Sequence, residues 1–135
     1  MKILSIDYGE RRTGVAVSDD LGITAQGLDT ILVGDESELP ERIAELVSET
    51  GADRILLGLP LNMDGSESEK SGKVRLFGEA IGKLTALPVI FWDERMTSMQ
   101  AQRVMHELGT KTRGRKSQID RISATLMLQE YLRTV

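Results

Sequence analysis

Two apolar segments of the sequence end in carboxylates. Asp7 follows the run KILSI, and Asp93 and Glu94 follow the run VIFW. Each has an ordinary structural explanation, because Asp is common where a strand turns and acidic residues are favoured where a helix starts. Alternation along a strand sends Asp93 and Glu94 to opposite faces, so at most one of them readily joins Asp7 in a shared site. The residues alone leave the choice between Asp93 and Glu94 open.

A third carboxylate, Asp120, lies near the start of an amphipathic segment. At 100° per residue its nearest neighbours on the helix surface are Ala124, Met127 and Tyr131, so this face is expected to pack on a sheet. Ser117, three residues earlier, offers the ordinary explanation, which is a capping box at a helix start. A carboxylate directed at a core nevertheless needs a partner, because burial of an unpaired charge is costly.

Carboxylates that converge on one point predict a metal site. They repel one another and raise one another's pKa, and a bound divalent cation removes that repulsion. The chain has one histidine, His106, and no cysteine, so the ligands would be oxygen atoms and the ion Mg²⁺ or Mn²⁺. The chemistry that such a cluster supports is phosphodiester hydrolysis, in which the metal activates water and stabilises the leaving oxygen.

The elements that must position these residues form a single α/β domain over residues 1–135. Periodicity predicts strands at 2–6, 14–18, 27–33, 54–59 and 89–92 and helices at 36–50, 67–85, 98–108 and 118–133. Three early strands followed by alternating helices and strands indicate a mixed sheet. Ser66, with Glu69 three residues later, is the expected cap of the second helix.

Charge is unevenly distributed along the chain. The net charge is −4, yet residues 95–121 contain seven basic and two acidic residues, which makes this segment +5 and the remainder −9. A local basic segment is either a solvated surface or a footprint for phosphates. The loop GTKTRGRK within it is expected to close over nucleic acid. The sequence shows neither a signal-peptide pattern nor 18 consecutive apolar residues, so we expect a cytoplasmic protein without a membrane partner.

Four segments, in order and at sensible spacing, resemble the YqgF family of small bacterial proteins: IDYGERRTGVAVSD, GLPLNMDGS, WDERMTS and KSQIDRISATLMLQEYL. Members of that family are described as nucleases that mature the 5′ end of pre-16S ribosomal RNA, and as Holliday-junction-resolvase-like nucleases. The resemblance covers essentially the whole chain. It implies an RNase H-like fold, with a mixed five-stranded sheet of order 3-2-1-4-5, one antiparallel strand, and flanking helices.

The resemblance also implies which residues form the active site. Asp7, Glu94 and Asp120 occupy the family's three acidic positions and would be both catalytic and metal-binding, so the family pattern favours Glu94 over Asp93. One departure concerns the fourth strand, where resolvases of this superfamily carry a carboxylate. Here the strand ends GLPLN, with no carboxylate before Asp64, which weakens the transfer of specificity for four-way junctions.

Five further residues are expected to contact the substrate: Arg11, Asn62, Arg95, Thr97 and Lys116. The three basic ones could hold phosphates or lie on a solvated surface. Asn62 could equally shape a turn, and Thr97 could simply cap a helix. Only 4% of the residues are aromatic, so recognition should depend on the nucleic-acid backbone and shape more than on stacking with bases.

The expected function is therefore a metal-dependent nuclease that processes precursor 16S rRNA, in contact with a pre-ribosomal particle, as a monomer or homodimer. One alternative is a Holliday junction resolvase acting on four-way DNA, and another is a non-catalytic nucleic-acid-binding protein. The first strand and its glycines also resemble the phosphate loop of actin-like ATPases and sugar kinases. Those proteins hold nucleotide between two domains, and 135 residues form only one.

Overall fold

A computed structural model describes residues 1–96 and 116–135, with the side chains of 1–96 and 121–135. The expected helix 98–108 and loop residues 109–115 lie outside the described residues. In chain order the elements are β1 (Ile3–Asp7), β2 (Arg12–Ser18), β3 (Ala25–Gly27), β4 (Ile31–Leu32), α1 (Leu39–Thr50), β5 (Arg54–Leu59), α2 (Glu69–Thr85), β6 (Val89–Asp93) and α3 (Lys116–Leu132), with 3₁₀ helices at Glu36–Glu38 and Glu94–Met96. Within this part of the chain, every helix is too short or too polar to cross a bilayer.

The strands form one mixed sheet in the order β3-β2-β1-β5-β6, and β4 also pairs with β2. The pairs β1–β5 and β5–β6 are parallel, whereas β2 is antiparallel to β1, β3 and β4. The α/β class, the single antiparallel strand and the order 3-2-1-4-5 are thus confirmed, with β3 and β4 together occupying the third position.

The number of strands differs from the expected five because the predicted strand 27–33 is divided in two. Beside β2 the register shifts by one residue between β3 and β4. The Leu28 amide still donates to the Val15 carbonyl at 2.9 Å, and the backbone then leaves the ladder. Asp29 in this gap forms an ion pair with Arg121 of α3. One extra residue in a strand produces such a local break, as in a β-bulge.

Helices cover both faces of the sheet. Leu4 and Ile6 of β1 belong to the core beneath α1 and α2, whereas Ile3 belongs to the core beneath α3. The expected inward face of α3 is confirmed, because Ala124 and Met127 are buried. Tyr131 on the same face makes an edge-on contact with the Trp92 ring, with the centroids 5.8 Å apart.

The helix starts correct two expectations. Ser68, not Ser66, caps α2, because its hydroxyl accepts the Ser71 amide at 2.9 Å while the Ser71 hydroxyl accepts the Ser68 amide. Ser66 is instead held by Asp64, whose carboxylate accepts the Ser66 hydroxyl at 2.6 Å. Ser117 lies inside α3, which already includes Lys116, and so is not its N-cap.

Candidate active site

Asp7 lies at the end of β1, on the face of the sheet that α3 covers. Alternation along β1 places Ser5 and Asp7 on one face. The Ser5 hydroxyl donates to the Ala124 carbonyl of α3 at 3.0 Å, which identifies that face. Asp7 itself is half-buried and pairs with Gly14 in the neighbouring strand β2.

A close backbone approach shapes the turn after Asp7. A Cβ on Gly9 would lie 2.1 Å from the Arg12 carbonyl oxygen, a distance that no side chain can tolerate. The Thr13 hydroxyl also donates to the Gly9 carbonyl at 3.1 Å. Glycine is therefore required at position 9, because the tight hairpin between β1 and β2 leaves no space for a side chain there.

Glu94 reaches over the backbone of the strand next to Asp7. It follows β6 directly, and its Oε1 atom lies 2.8 Å from the position that a Cβ on Gly58 would occupy. Met127 Sδ of α3 lies 2.9 Å from the same point, so the carboxylate is on the α3 face of the sheet. The strands β5 and β1 pair in parallel with Leu57 opposite Ile6, so the following residues, Gly58 and Asp7, also lie at the same level. Asp7 and Glu94 thus lie on the same face of the sheet, Asp7 at the end of β1 and the Glu94 carboxylate over the neighbouring strand β5.

The surroundings of Glu94 favour its neutral form. Burial raises the pKa of the Glu94 carboxyl above its ordinary value, and the negative charge of Asp93 adds to this. The ammonium group of Lys70, in the first turn of α2, acts in the opposite direction. A half-buried carboxyl of this kind is suited to a nearby cation, which would stabilise the ionised form.

Asp93 has a different environment. Its carboxylate accepts hydrogen bonds from the Arg95 guanidinium, at 2.7 Å from Nη2 and 3.1 Å from Nε. These bonds hold the pKa of Asp93 below its ordinary value. Asp93 is two residues after Phe91 in β6, so both side chains lie on the same face of the sheet. Phe91 packs on the α2 side, so Asp93 lies on the opposite face from Asp7. Of the two carboxyls that the residues left open, the one on the Asp7 face is therefore that of Glu94.

The backbone of Asp120 lies in α3, and its side chain is outside the described residues. The Ala124 carbonyl accepts the Ser5 hydroxyl, and Leu128 belongs to the same core cluster as Ile3, so the helix runs alongside β1 at this level. Four residues of helix advance about 6 Å, nearly the same as two residues of strand. One further turn therefore brings the backbone of Asp120 level with Asp7. Among the described side chains, no three acidic, His or Cys groups form a cluster that could hold a metal.

A cleft of about 730 Å³ opens beside Asp7, between the β1–β2 turn and the start of α2. Four basic residues line it: Arg11, Arg12, Lys70 and Lys73. Lys73 forms an ion pair with Glu10, which lowers the pKa of that carboxyl. The sequence predicted basic substrate contacts at Arg11, Arg95 and Lys116, and Lys70 and Lys73 were not among them. The start of a helix that follows a strand was the signal that could have pointed to them.

The other expected substrate contacts lie in several places. Arg11 is exposed and lines the cleft. The Asn62 side chain donates to the Ser66 hydroxyl at 3.0 Å and to the Glu67 carbonyl at 3.2 Å, so it closes its own loop. Thr97 lies outside the described residues, as does the side chain of Lys116.

A family model described as "RuvX: Holliday junction resolvase" matches residues 1–134. The chain belongs to the RuvX family. This is the family that the sequence resemblance names YqgF, so that expectation is confirmed. RuvX proteins form a nuclease family, and the membership extends over nearly every residue that builds the sheet and the cleft.

Relatives within the RuvX family match at full length. A protein of Agathobacter rectalis is 44% identical over 135 residues, covering 98% of this chain and 94% of its own length. A protein of Bacillus cytotoxicus is 39% identical over 134 residues, with 98% of both chains covered. Both carry the name "Putative pre-16S rRNA nuclease".

Solved structures extend the likeness to the fold. The RuvC protein of T. thermophilus, in complex with a Holliday junction substrate, superposes with a TM-score of 0.63 at 17% identity, covering 99% of this chain and 96% of that one. At this identity the likeness shows a common fold. The expected RNase H-like architecture is thereby confirmed for this RuvX chain.

Proposed function

We propose that this protein is a divalent-metal-dependent nuclease that processes the 5′ end of precursor 16S rRNA. The observation that carries the proposal is that Asp7, at the end of β1, and the Glu94 carboxylate, which reaches over the neighbouring strand β5, lie on the face of the sheet that α3 covers. The backbone of Asp120 in α3 lies near the same level. Three carboxylates at the carboxyl ends of the strands would hold a hard cation. The chain has no cysteine and so supplies no thiolate for a softer one.

The donor chemistry fits Mg²⁺ or Mn²⁺. Glu94 is half-buried and its pKa is raised by this partial burial, so an adjacent cation would favour its ionised, ligating form. Asp7, Glu94 and Asp120 would hold the metal. When bound, the metal would supply an activated water and charge stabilisation at the leaving oxygen. The contribution of the chain is to fix the carboxylates on a rigid sheet and to direct the phosphodiester backbone toward them.

The cleft beside Asp7 supports a nucleic-acid substrate. Its basic side chains come from two sides, Arg11 and Arg12 from the hairpin and Lys70 from α2, and such cationic side chains bind the phosphates of a nucleic-acid backbone. RNA is the favoured substrate because the full-length relatives are named for pre-16S rRNA. Thr97 and Lys116, both in the basic segment 95–121, are proposed as further RNA contacts, and a pre-ribosomal particle would present the RNA.

A second candidate is resolution of Holliday junctions, which the description of the family model favours. One feature of the chain weakens the transfer of junction specificity. The strand β5 ends at Leu59 and is followed by Pro60 and Leu61, with no carboxylate, and the acid over that strand is Glu94, which follows β6. A site whose acid approaches from a different strand has a different geometry from the resolvase site that the resemblance implies.

The deciding experiment compares two labelled substrates, a precursor 16S 5′-leader RNA and a four-way DNA junction, with Mg²⁺ or Mn²⁺. Wild type, Asp7→Asn and the control Asp20→Asn are tested. Asp20 is a suitable control because it is exposed and pairs with Lys2, just before β1 and at the opposite end of that strand from Asp7. We expect RNA cleavage by wild type and Asp20→Asn and none by Asp7→Asn. Symmetric junction cleavage would support the resolvase. Binding of either substrate without metal-dependent cleavage would overturn the nuclease and favour a binding protein.

A further inference from the structure

The guanidinium of Arg95 is bound on two sides by protein groups. Its Nε and Nη2 atoms donate to the carboxylate of Asp93 at 3.1 and 2.7 Å, and the Arg95 amide donates to the same carboxylate at 2.9 Å. Its Nη1 atom donates to the Met63 carbonyl at 3.1 Å. A planar fork that is bidentate to a carboxylate has little capacity left for a substrate phosphate.

The Met63 carbonyl belongs to a loop that is already closed by its own hydrogen bonds. Between β5 and α2, the backbone amide of Asn62 donates to the backbone carbonyl of Ser66 at 3.0 Å. The backbone amide of Gly65 donates to the backbone carbonyl of Asn62 at 2.9 Å. Gly65 has a φ of +88°, and a Cβ there would lie 3.3 Å from the Arg95 guanidinium nitrogens. Arg95 therefore joins a well-defined loop to the end of β6.

We propose that Arg95 is a positioning residue that fixes Glu94 over Gly58, rather than a contact for the substrate. Glu94 lies between the two residues of the Asp93–Arg95 pair, in a single 3₁₀ turn. That turn is tied on one side to the carboxylate at the end of β6 and on the other to the β5–α2 loop. Because the turn is hydrogen-bonded on both sides, the backbone of Glu94 has few other orientations available. This inference rests on the proposed function, because it takes Glu94 as part of the active site.

Two roles for Arg95 make opposite predictions for substitution. A phosphate contact would be partly replaced by lysine, and its loss would weaken RNA binding and reduce the salt dependence of binding by about one unit of slope. A positioning fork needs the planar geometry of arginine, so lysine would not replace it. Its loss would leave RNA binding and its salt dependence unchanged while the cleavage step slows. Groups that orient metal ligands typically affect activity or metal affinity by about 10- to 100-fold.

The test uses Arg95→Gln, Arg95→Lys and Asp93→Asn, with Arg133→Gln as the matched control. Arg133 forms an exposed pair with Glu130 at the far end of α3. For each variant we would measure kcat and KM on the leader RNA, RNA affinity at several salt concentrations, and Mn²⁺ affinity by calorimetry. The methyl resonance of Met127 is a further readout in metal-free protein, because its Sδ atom lies at the same Gly58 position as the Glu94 carboxylate.

We expect both Arg95 variants and Asp93→Asn to lower kcat by about 10- to 100-fold, to weaken Mn²⁺ binding and to shift the Met127 resonance. RNA affinity and its salt slope should stay at the wild-type values, and Arg133→Gln should change nothing. Weaker RNA binding in Arg95→Gln, with full activity in Asp93→Asn, would overturn the proposal. If wild type cleaves no RNA, the proposed function fails. The Met127 resonance in metal-free protein would then still test the role of Arg95. An unchanged chemical shift in all three variants would refute the proposal that Arg95 positions Glu94.

Discussion

The contact between Gly58 and Glu94 allows a sharp test of the active-site geometry. Alanine at position 58 would place its Cβ 2.8 Å from Glu94 Oε1 and 2.9 Å from Met127 Sδ. Since ordinary contacts begin near 3.4 Å, the carboxylate must retreat by about 0.6 Å, and the methionine by nearly as much. Gly58→Ala therefore adds one methyl group at the point where the acid meets both the sheet and α3.

This displacement should affect both stability and catalysis. An additional methyl group in a packed interior costs about 1–3 kcal/mol of unfolding free energy, and we expect the lower end of this range because both displaced atoms are the ends of flexible side chains. In a domain of this size, each kcal/mol corresponds to a decrease in Tm of roughly 3–5 °C. A functional group held beyond roughly 0.5 Å of its productive position loses efficiency, and an error of about 1 Å can cost about 100-fold. We expect kcat for metal-dependent RNA cleavage to fall by about 10- to 100-fold.

The assay is single-turnover cleavage of the leader RNA well below Tm, together with thermal unfolding of the same preparations. Gly72→Ala is the matched control, because a Cβ there meets nothing within 4 Å on the exposed side of α2. It should leave cleavage unchanged and raise the unfolding free energy by about 0.5–1 kcal/mol, as alanine does in a helix. Wild-type cleavage by Gly58→Ala would refute the assignment of the Glu94 carboxylate to the reaction.

Three further predictions concern other contacts. Gly78→Ala puts a Cβ 2.7 Å from Cζ of Phe91 on the opposite face of the sheet, so unfolding free energy should fall by about 1–3 kcal/mol while cleavage below Tm stays at the wild-type rate. Ser68→Ala removes the cap of α2 and should cost about 0.5–2 kcal/mol in denaturant unfolding. Because the Arg95 guanidinium lowers the pKa of Asp93 below 3.8, the pair stabilises the folded protein above that pH and loses this effect as the pH falls through the folded-state pKa. The difference in unfolding free energy between wild type and Asp93→Asn should therefore be largest above about pH 4 and shrink as the pH falls through the folded-state pKa of Asp93.

Features set by local periodicity could be read from the sequence. The face of α3 that carries Ala124 and Met127 follows from the 3.6-residue repeat, and both residues are buried on the sheet. The parallel strand β5 was recognisable as the continuous apolar run RILLGL, which is buried on both faces. These signals need no knowledge of distant parts of the chain.

Features that depend on distant contacts could not be read in this way. The break between β3 and β4 coincides with the pair of Asp29 and Arg121, which are far apart in the sequence. The sequence pattern placed the α2 cap at Ser66, but Asp64 binds Ser66 and Ser68 caps the helix instead. Alternation separated Asp93 from Glu94 but could not say which one faced Asp7, because that depends on how the sheet packs against α3.

The residues around the candidate site also account for a feature that was puzzling in the sequence alone, the absence of a carboxylate at the end of β5. A carboxylate from the next strand can occupy the space above β5 only if β5 has no side chain there, and Gly58 meets that condition. The loop after β5 then needs no metal ligand of its own, and it instead closes through Asn62 and receives the Arg95 guanidinium at the Met63 carbonyl. The glycine, the acid and the arginine thus form one arrangement, in which a change at Gly58 or Arg95 acts through the position of the Glu94 carboxylate.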